Sequence, residues 1–320
     1  MEMSEPIKLG NLMPGKKRVI NIHFQDYKQI AIAARKKVLE MIYRAQTSHI
    51  GSNFSCIDIL SVLFEKMNPE KDEFIASKGW IAASVYYFLA QKGIIPKEDL
   101  ERYCQPGETE YIGLIEPQRD KNGKLIFGLK FAGGSMGTGF PAGVGFALAK
   151  KLKGEEGKVY VLMSDGEMQI GTTWESALIA AHHKLDNLVV IADYNKWQAT
   201  GRTNEVLNLE PLMEKWRAFG WKIMEVDGNE KIDGHNYKVI EAAINNQDTH
   251  KHDPGLIACK ICGKRNTAKS FLPDLRPCII VAYTIKGKGV SFMEDKLEWH
   301  YKTPSREEYK LALKELNKYV

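Results

Sequence analysis

Two short apolar runs, each ending in a polar turn, constrain this chain more than any other feature. V-Y-V-L-M over 159–163 stops at Ser164-Asp165-Gly166, and N-L-V-V-I-A-D over 187–193 runs into Tyr194-Asn195. Runs without polar alternation read as strands covered on both faces, as parallel strands in a layered sheet are. A helical pattern over about 173–183 joins them into a βαβ unit. Further strands are predicted over 221–226 and 279–284. Helices are predicted over 30–46, over 57–67 with Ser55 as N-cap, over 81–92, through Phe146 and Leu152, and over 211–219, 237–245 and 306–319. Residues 103–132 read as a long loop with one short hairpin around Asn122-Gly123. The fold class is therefore α/β, a doubly wound, mostly parallel sheet with helices on both faces. Such sheets bind ligands outside the carboxyl ends of their strands.

Composition narrows the partners. With 320 residues, 44% apolar and 27% charged, the chain has enough material for a large core. No apolar stretch reaches the ~18 residues of a membrane helix, and the N-terminus lacks a signal-peptide pattern, so a cytoplasmic protein with no membrane partner is expected. The 45 basic and 40 acidic residues are dispersed, without the basic stripe of a nucleic-acid binder. A net charge of +5 suits a small anionic ligand. Five cysteines, an odd number at low density, exclude a disulfide scaffold.

The two turns carry the chemistry. Asp165 and Asn195 stand 30 residues apart at the ends of strands that a right-handed crossover makes parallel and adjacent. A carboxylate and an amide oxygen suit Mg²⁺ or Ca²⁺, and such sites complete their shell with phosphate and water. Gly166 lets backbone approach a phosphate closely. An Asp-Gly turn and a strand-end Asn are also common without any ligand.

S-D-G-E-M-Q-I-G-T-T-W-E-S-A followed by D-Y-N-K-W-Q-A-T-G resembles the thiamine-diphosphate signature of transketolases. T-S-H-I-G-S-N-F-S (47–55), F-I-A-S-K-G (74–79), G-G-S-M-G-T-G (133–139), A-A-H-H-K-L-D-N-L (180–188), L-E-P-L-M-E-K-W-R-A-F-G-W (209–221), E-V-D-G (225–228) and T-I-K-G-K-G-V-S-F-M-E with W-H (284–300) agree in the same order. The resemblance spans about 30–305 and is to the N-terminal, diphosphate-binding (PP) half of the family, so the chain resembles one subunit of a split transketolase. It implies Asp165, Asn195 and the Trp197 carbonyl as metal ligands. It implies Gly137 and Gly166 along the diphosphate, His300 near the diphosphate and the reacting carbon, and His49 as the first active-site histidine. It also implies ketol transfer by thiamine diphosphate with a separate C-terminal subunit, which carries the pyrimidine domain and activating glutamate, in an α2β2 assembly. The domain expectation is an extended arm over 1–25 and a single PP domain over 26–320.

The departures point to substrate handling. Trp80 replaces the histidine of S-K-G-H, Ile170 stands where the family has a glutamate, and the loop 105–117 lacks a histidine. Thr138 and Ser164 replace a glutamine and a glycine. Trp80 is thus a substrate-pocket candidate, and a non-standard sugar is expected: larger, less phosphorylated or nucleotide-linked. Residues 248–278 read as an inserted loop in which Cys259, Cys262, Cys278 and His252 are candidate ligands of a structural zinc; the alternative is a polar loop with reduced thiols. Two other functions stay open: acyl or ketol transfer from a 2-oxo acid by the same cofactor, and a silent scaffold subunit. A Rossmann dehydrogenase is disfavoured because G-S-M-G-T-G lacks the required glycine register.

Overall fold

The computed structural model describes residues 24–226, 234–245 and 274–318. In chain order the elements are α1 (Phe24–Ala45), α2 (Ile50–Lys66), β1 (Glu73–Ala76), α3 (Ala82–Gln91), α4 (Gly139–Lys153), β2 (Val159–Ser164), α5 (Gly171–His182), β3 (Leu188–Tyr194), α6 (Thr203–Val206), α7 (Leu212–Ala218), β4 (Lys222–Val226), α8 (Tyr237–Asn245), β5 (Cys278–Tyr283) and α9 (Arg306–Asn317). The strands pair in the order β1-β2-β3-β5-β4, and every pairing is parallel.

Both faces of this sheet are buried, which explains the unbroken apolar runs. Val159, Val161 and Met163 of β2, with Leu188, Val190 and Ala192 of β3, pack under α4, α5 and α7 around Phe140, Ala177 and Trp216. The alternate residues Tyr160, Leu162, Val189 and Ile191 face the opposite core, built by α1, α2, α3 and α8. The doubly wound α/β expectation therefore holds. The register sets Ser164 of β2 beside Asp193 of β3, so the Asp165 and Asn195 turns leave the sheet side by side.

Three expectations need correction. The sheet has five strands rather than four: β1 is only four residues long, too short for periodicity to separate from its surroundings. The second helix starts at Ile50, not near 57, and its N-cap is His49 in the left-handed region at φ 68°. Ser55 is not a cap; it sits mid-helix and donates to Asp193 Oδ2 at 2.6 Å. Gly, Ser and Asn in this segment read as turn formers, but tertiary partners satisfy their polar groups and override the propensity. Asn53 Oδ1, for example, accepts from Ser84 Oγ at 2.8 Å and from Ser84 N–H at 3.0 Å. The Asn122-Gly123 turn does close an antiparallel bridge, between Arg119 and Leu125. Residues 1–23 of the expected arm and most of the loop over 248–278 lie outside the described residues, while Phe24 and Gln25 already belong to α1.

Candidate active site

The loops leaving β1, β2, β3 and β5 meet at one end of the sheet. Asp165 follows β2 and is fully buried. Its Oδ2 accepts from Thr203 Oγ at 2.6 Å and its Oδ1 from Gly166 N–H at 3.1 Å. Burial, reinforced by Asp193 and opposed by Thr203, pushes its carboxyl up to about 6. Asn195 follows β3; its Nδ2 donates to Ser55 Oγ at 3.2 Å and its Oδ1 accepts from Trp197 N–H at 3.1 Å. Trp197 is braced in turn: its Nε1 donates to Asp295 Oδ1 at 2.8 Å, and the Arg202 guanidinium lies 3.8 Å over its ring while pairing with Asp295. Gly166 runs close to Gln198, whose Cγ would lie 3.3 Å from an added Cβ.

Beneath this turn pair lies a buried cationic group. Lys78, just beyond β1, pairs with Asp193 and donates to Ser52 O at 3.0 Å and Ser55 Oγ at 3.2 Å. Burial would lower its ammonium, but the Asp193 carboxylate holds it above its ordinary value. Thr284, just past β5, donates to the other Asp193 oxygen. Lys286 is only 1% exposed, and its Nζ donates to His300 Nδ1 at 2.9 Å. Burial, with repulsion from Lys78, lowers its ammonium to about 7.

The two histidines join this group. The His49 N–H donates to the His300 carbonyl at 2.9 Å, and the two rings lie 4.9 Å apart. Ser48 Oγ lies 2.6 Å from His49 Nδ1. Burial, followed by the charges of Lys286 and Lys78, lowers His49 to about 4. Burial and Lys286 in the same way bring His300 to about 3, so both imidazoles are neutral at pH 7. Trp80 stacks on His49 with ring centres 4.6 Å apart.

The glycine loops close the cradle. Gly79 and Gly133 press together so tightly that a Cβ on Gly79 would fall 2.0 Å from the Gly133 carbonyl oxygen. Gly137, at φ 81°, abuts Ile170 and Thr172, and its carbonyl accepts from Thr172 Oγ at 2.6 Å. Ile170, the residue in place of the family glutamate, thus packs against the glycine turn. Glu167 accepts from Ser77 Oγ; burial pushes its carboxyl up to about 7, opposed by Ser77 and by the nearby backbone of Gly137, Ser164 and Phe140.

The sequence candidates therefore fall into one connected site. Asp165, Gly166, Asn195 and Trp197 form one wall, and His49, His300 and Trp80 another. Ser55, Asp193, Lys78 and Lys286 link the two. Sequence reasoning gave Asp193, Lys78 and Lys286 no role and took Ser55 for an N-cap, although all four stand inside the quoted motifs. The readable signal was a lysine directly after an apolar strand in S-K-G and I-K-G. Cys278 opens β5 in the hydrophobic core, where burial pushes its thiol up to about 12. Cys259, Cys262 and His252 lie outside the described residues. Among the described residues no three His, Cys, Asp or Glu side chains cluster as a metal site.

The charges nonetheless fit a metal–diphosphate. Among the described residues, the hydrogen-bond partners of the buried Asp165 carboxylate are a hydroxyl and an amide, neither a cation. The hydrogen-bond partner of the buried Lys286 ammonium is a neutral imidazole. A buried carboxylate and a buried amine in one pocket, neither in a direct ion pair among the described residues, are complementary to a divalent cation carrying an anionic ligand. One carboxylate with amide and carbonyl oxygens is also a donor set that Mg²⁺ accepts when phosphate completes its shell.

Comparison with known proteins agrees. Residues 27–271 match the family described as transketolase, thiamine diphosphate binding domain. The chain is 34% identical over 306 residues to an apulose-4-phosphate transketolase subunit of Actinobacillus succinogenes, covering 92% of this chain and 98% of that one. It is also 34% identical over 302 residues to a 6-deoxy-6-sulfo-D-fructose transketolase subunit of a Clostridium species, covering 92% and 97%. The crystal structure of transketolase from Campylobacter jejuni superposes with a TM-score of 0.71 at 25% identity, covering 92% of this chain and 43% of that enzyme. No helix among the described residues is long and apolar enough to cross a membrane. Fold, site and comparisons converge: this chain belongs to the transketolase family, as a thiamine-diphosphate-binding domain.

Proposed function

We propose that this chain is the diphosphate-binding subunit of a cytoplasmic two-component transketolase that moves a two-carbon ketol unit from a ketose to an aldehyde or sugar acceptor. The observation that carries this reading is that the Asp165 carboxylate and the Lys286 amine are both buried in one site without a direct ion pair, next to two neutral histidines. Asp165, Asn195 and the Trp197 carbonyl would hold Mg²⁺, and Gly137, Gly166, His300 and Lys286 would line the diphosphate. When bound, thiamine diphosphate supplies the carbanion chemistry through its thiazolium ylid. The protein's own part is positioning and proton handling. An ammonium at Lys286 can only donate, so His300 Nδ1 accepts and the imidazole proton resides on Nε2. Ser48 engages His49 Nδ1 and leaves Nε2 for substrate. With its proton on Nε2, His300 can donate to a sugar carbonyl, while the free Nε2 of the neutral His49 donates or accepts according to its tautomer.

The partner is a second polypeptide with the pyrimidine domain and its activating glutamate, in an α2β2 assembly. Two relatives named as transketolase subunits, matched over nearly their whole length, support a divided enzyme. Both names carry a non-standard sugar, and with Trp80 in place of the family histidine they support a donor other than the usual pentose phosphates. The domain spans 26–320, with an arm before it and the Cys259/Cys262 loop inserted before β5. The retained metal pair and both histidines disfavour a silent scaffold. The test is ketol transfer by the chain with its cognate partner, thiamine diphosphate and Mg²⁺. Transfer among non-standard ketoses, with slow turnover of xylulose 5-phosphate and ribose 5-phosphate, is the expected result. Ordinary rates with those pentose phosphates overturn the specificity, and no transfer from any ketose overturns the function.

A further inference from the structure

Four rings line one side of the site. His49 lies parallel to Trp80, the planes 13° apart. Tyr301 stands edge-on to His49 at 5.6 Å and tilts against His300 at 4.7 Å. His49 is buried and His300 half-buried, yet Trp80 is 40% exposed and Tyr301 63%. One face of Trp80 covers His49, and the residue as a whole still keeps 40% of its surface exposed beside the histidines.

The neighbouring loop brings Ile115 and Leu114 to this side and carries carboxylates but no cation over 105–117. The Ile115 N–H donates to the Gly79 carbonyl at 3.2 Å and the Ile115 carbonyl accepts from Gly133 at 3.0 Å, which ties this loop to the residue before Trp80. Leu114 covers Gly134, with its Cδ1 3.3 Å from where a Cβ would stand. Lys302 pairs with Glu308, Arg102 with Glu108 and Glu110, and Lys78 with Asp193, so these cations are already matched by carboxylates. Lys286 has no carboxylate partner among the described residues but is buried against His300 Nδ1 rather than exposed beside Trp80 and Tyr301.

We infer that Trp80 and Tyr301 form an aromatic platform that takes the C–H face of the ketose next to its reacting carbonyl. On this side the chain then recognises an uncharged, hydroxylated carbon chain by stacking, and any anionic group of the donor lies away from the wall. Large, partly exposed aromatic rings favour this ligand because sugars present apolar C–H patches between their hydroxyls. The inference rests on the ketol-transfer reading and deepens it.

Saturation-transfer NMR titrations of the full chain, loaded with thiamine diphosphate and Mg²⁺, test it with D-fructose and D-fructose 6-phosphate as probes. Both sugars are expected to bind with similar dissociation constants. Trp80→Ala and Tyr301→Ala should weaken D-fructose about three- to tenfold, the range such an aromatic contact is worth, and Trp80→Phe should retain most of the affinity. Calorimetric affinity for the cofactor should not change in any variant, which separates the platform from a folding defect. D-fructose binding unaltered in both alanine variants, binding of the phosphorylated sugar alone, or no saturation transfer to either sugar overturns the platform. A wild-type chain that fails to bind cofactor sinks the ketol-transfer reading and the platform with it; cofactor binding with ring-independent sugar binding sinks the platform only.

Discussion

Asp165 and Lys286 are each strained by burial in a way that a ligand would relieve. The carboxylate is raised to about 6 and the ammonium lowered to about 7, in both cases chiefly by burial. Asp165→Asn should therefore stabilise the free protein by about 1–2 kcal/mol, since each pKa unit corresponds to about 1.4 kcal/mol and the amide keeps part of the Thr203 bond. The same change should weaken Mg²⁺–thiamine diphosphate at least about tenfold. Differential scanning calorimetry and titration calorimetry read the two effects, and a fall in both stability and affinity would contradict the first. Lys286 gives a pH dependence of definite sign. Its depressed value means that the free protein is largely deprotonated there above pH 7, while a bound diphosphate favours the ammonium. Binding should thus take up a proton near pH 8, with affinity falling toward about tenfold per pH unit above 7. Calorimetry in buffers of different ionisation enthalpy measures that uptake, and Lys286→Met should abolish it. The role of Asp165 was legible because a carboxylate after a buried strand, with an Asn after the next, is a pattern along the chain. The role of Lys286 was not, because its environment comes from Gly51, His300 and Lys78, which stand far apart in sequence.

At the scale of elements, the loops and turns at one end of the sheet carry the site, while a helix cap away from it carries only stability. Gly137 holds the turn before α4 at φ 81°, and a Cβ there would meet Ile170 Cγ2 at 2.7 Å. Gly137→Ala should cost about 1–2 kcal/mol from the backbone alone, with the clash added, and should displace the start of α5. Thermal unfolding should show the loss, and cofactor affinity should fall with it. The contrast is α9, where Ser305 and Glu308 form a capping box. Ser305→Ala should lower stability by about 1 kcal/mol and leave cofactor affinity unchanged, as measured by denaturant unfolding and calorimetry. The pattern S-x-x-E was readable before α9. The beginning of α2 was not, because its Gly, Ser and Asn residues become helical through contacts with β3 and α3 that no local window contains.

On the scale of the whole molecule, a five-stranded parallel sheet brings β1, β2, β3 and β5 to one end, where their four loops share a single buried charge network. If the enzyme is divided as proposed, the full chain alone should bind thiamine diphosphate and Mg²⁺ but transfer no ketol unit. Adding the cognate partner should restore transfer and, by light scattering, yield a particle with two copies of each chain. Transfer by this chain alone would refute the division.

The local pattern of the sequence by itself determined the layered α/β class and the adjacent Asp165-Gly166 and Asn195 turns, because strand burial and turn chemistry are written within short windows. Only the tertiary structure decided that Ser55 belongs to the site, that Lys78 is paired while Lys286 faces a neutral histidine, and that Trp80 and Tyr301 flank His49. Those facts depend on desolvation and on contacts between residues as far apart as 49 and 301, and both arise only when the chain is folded.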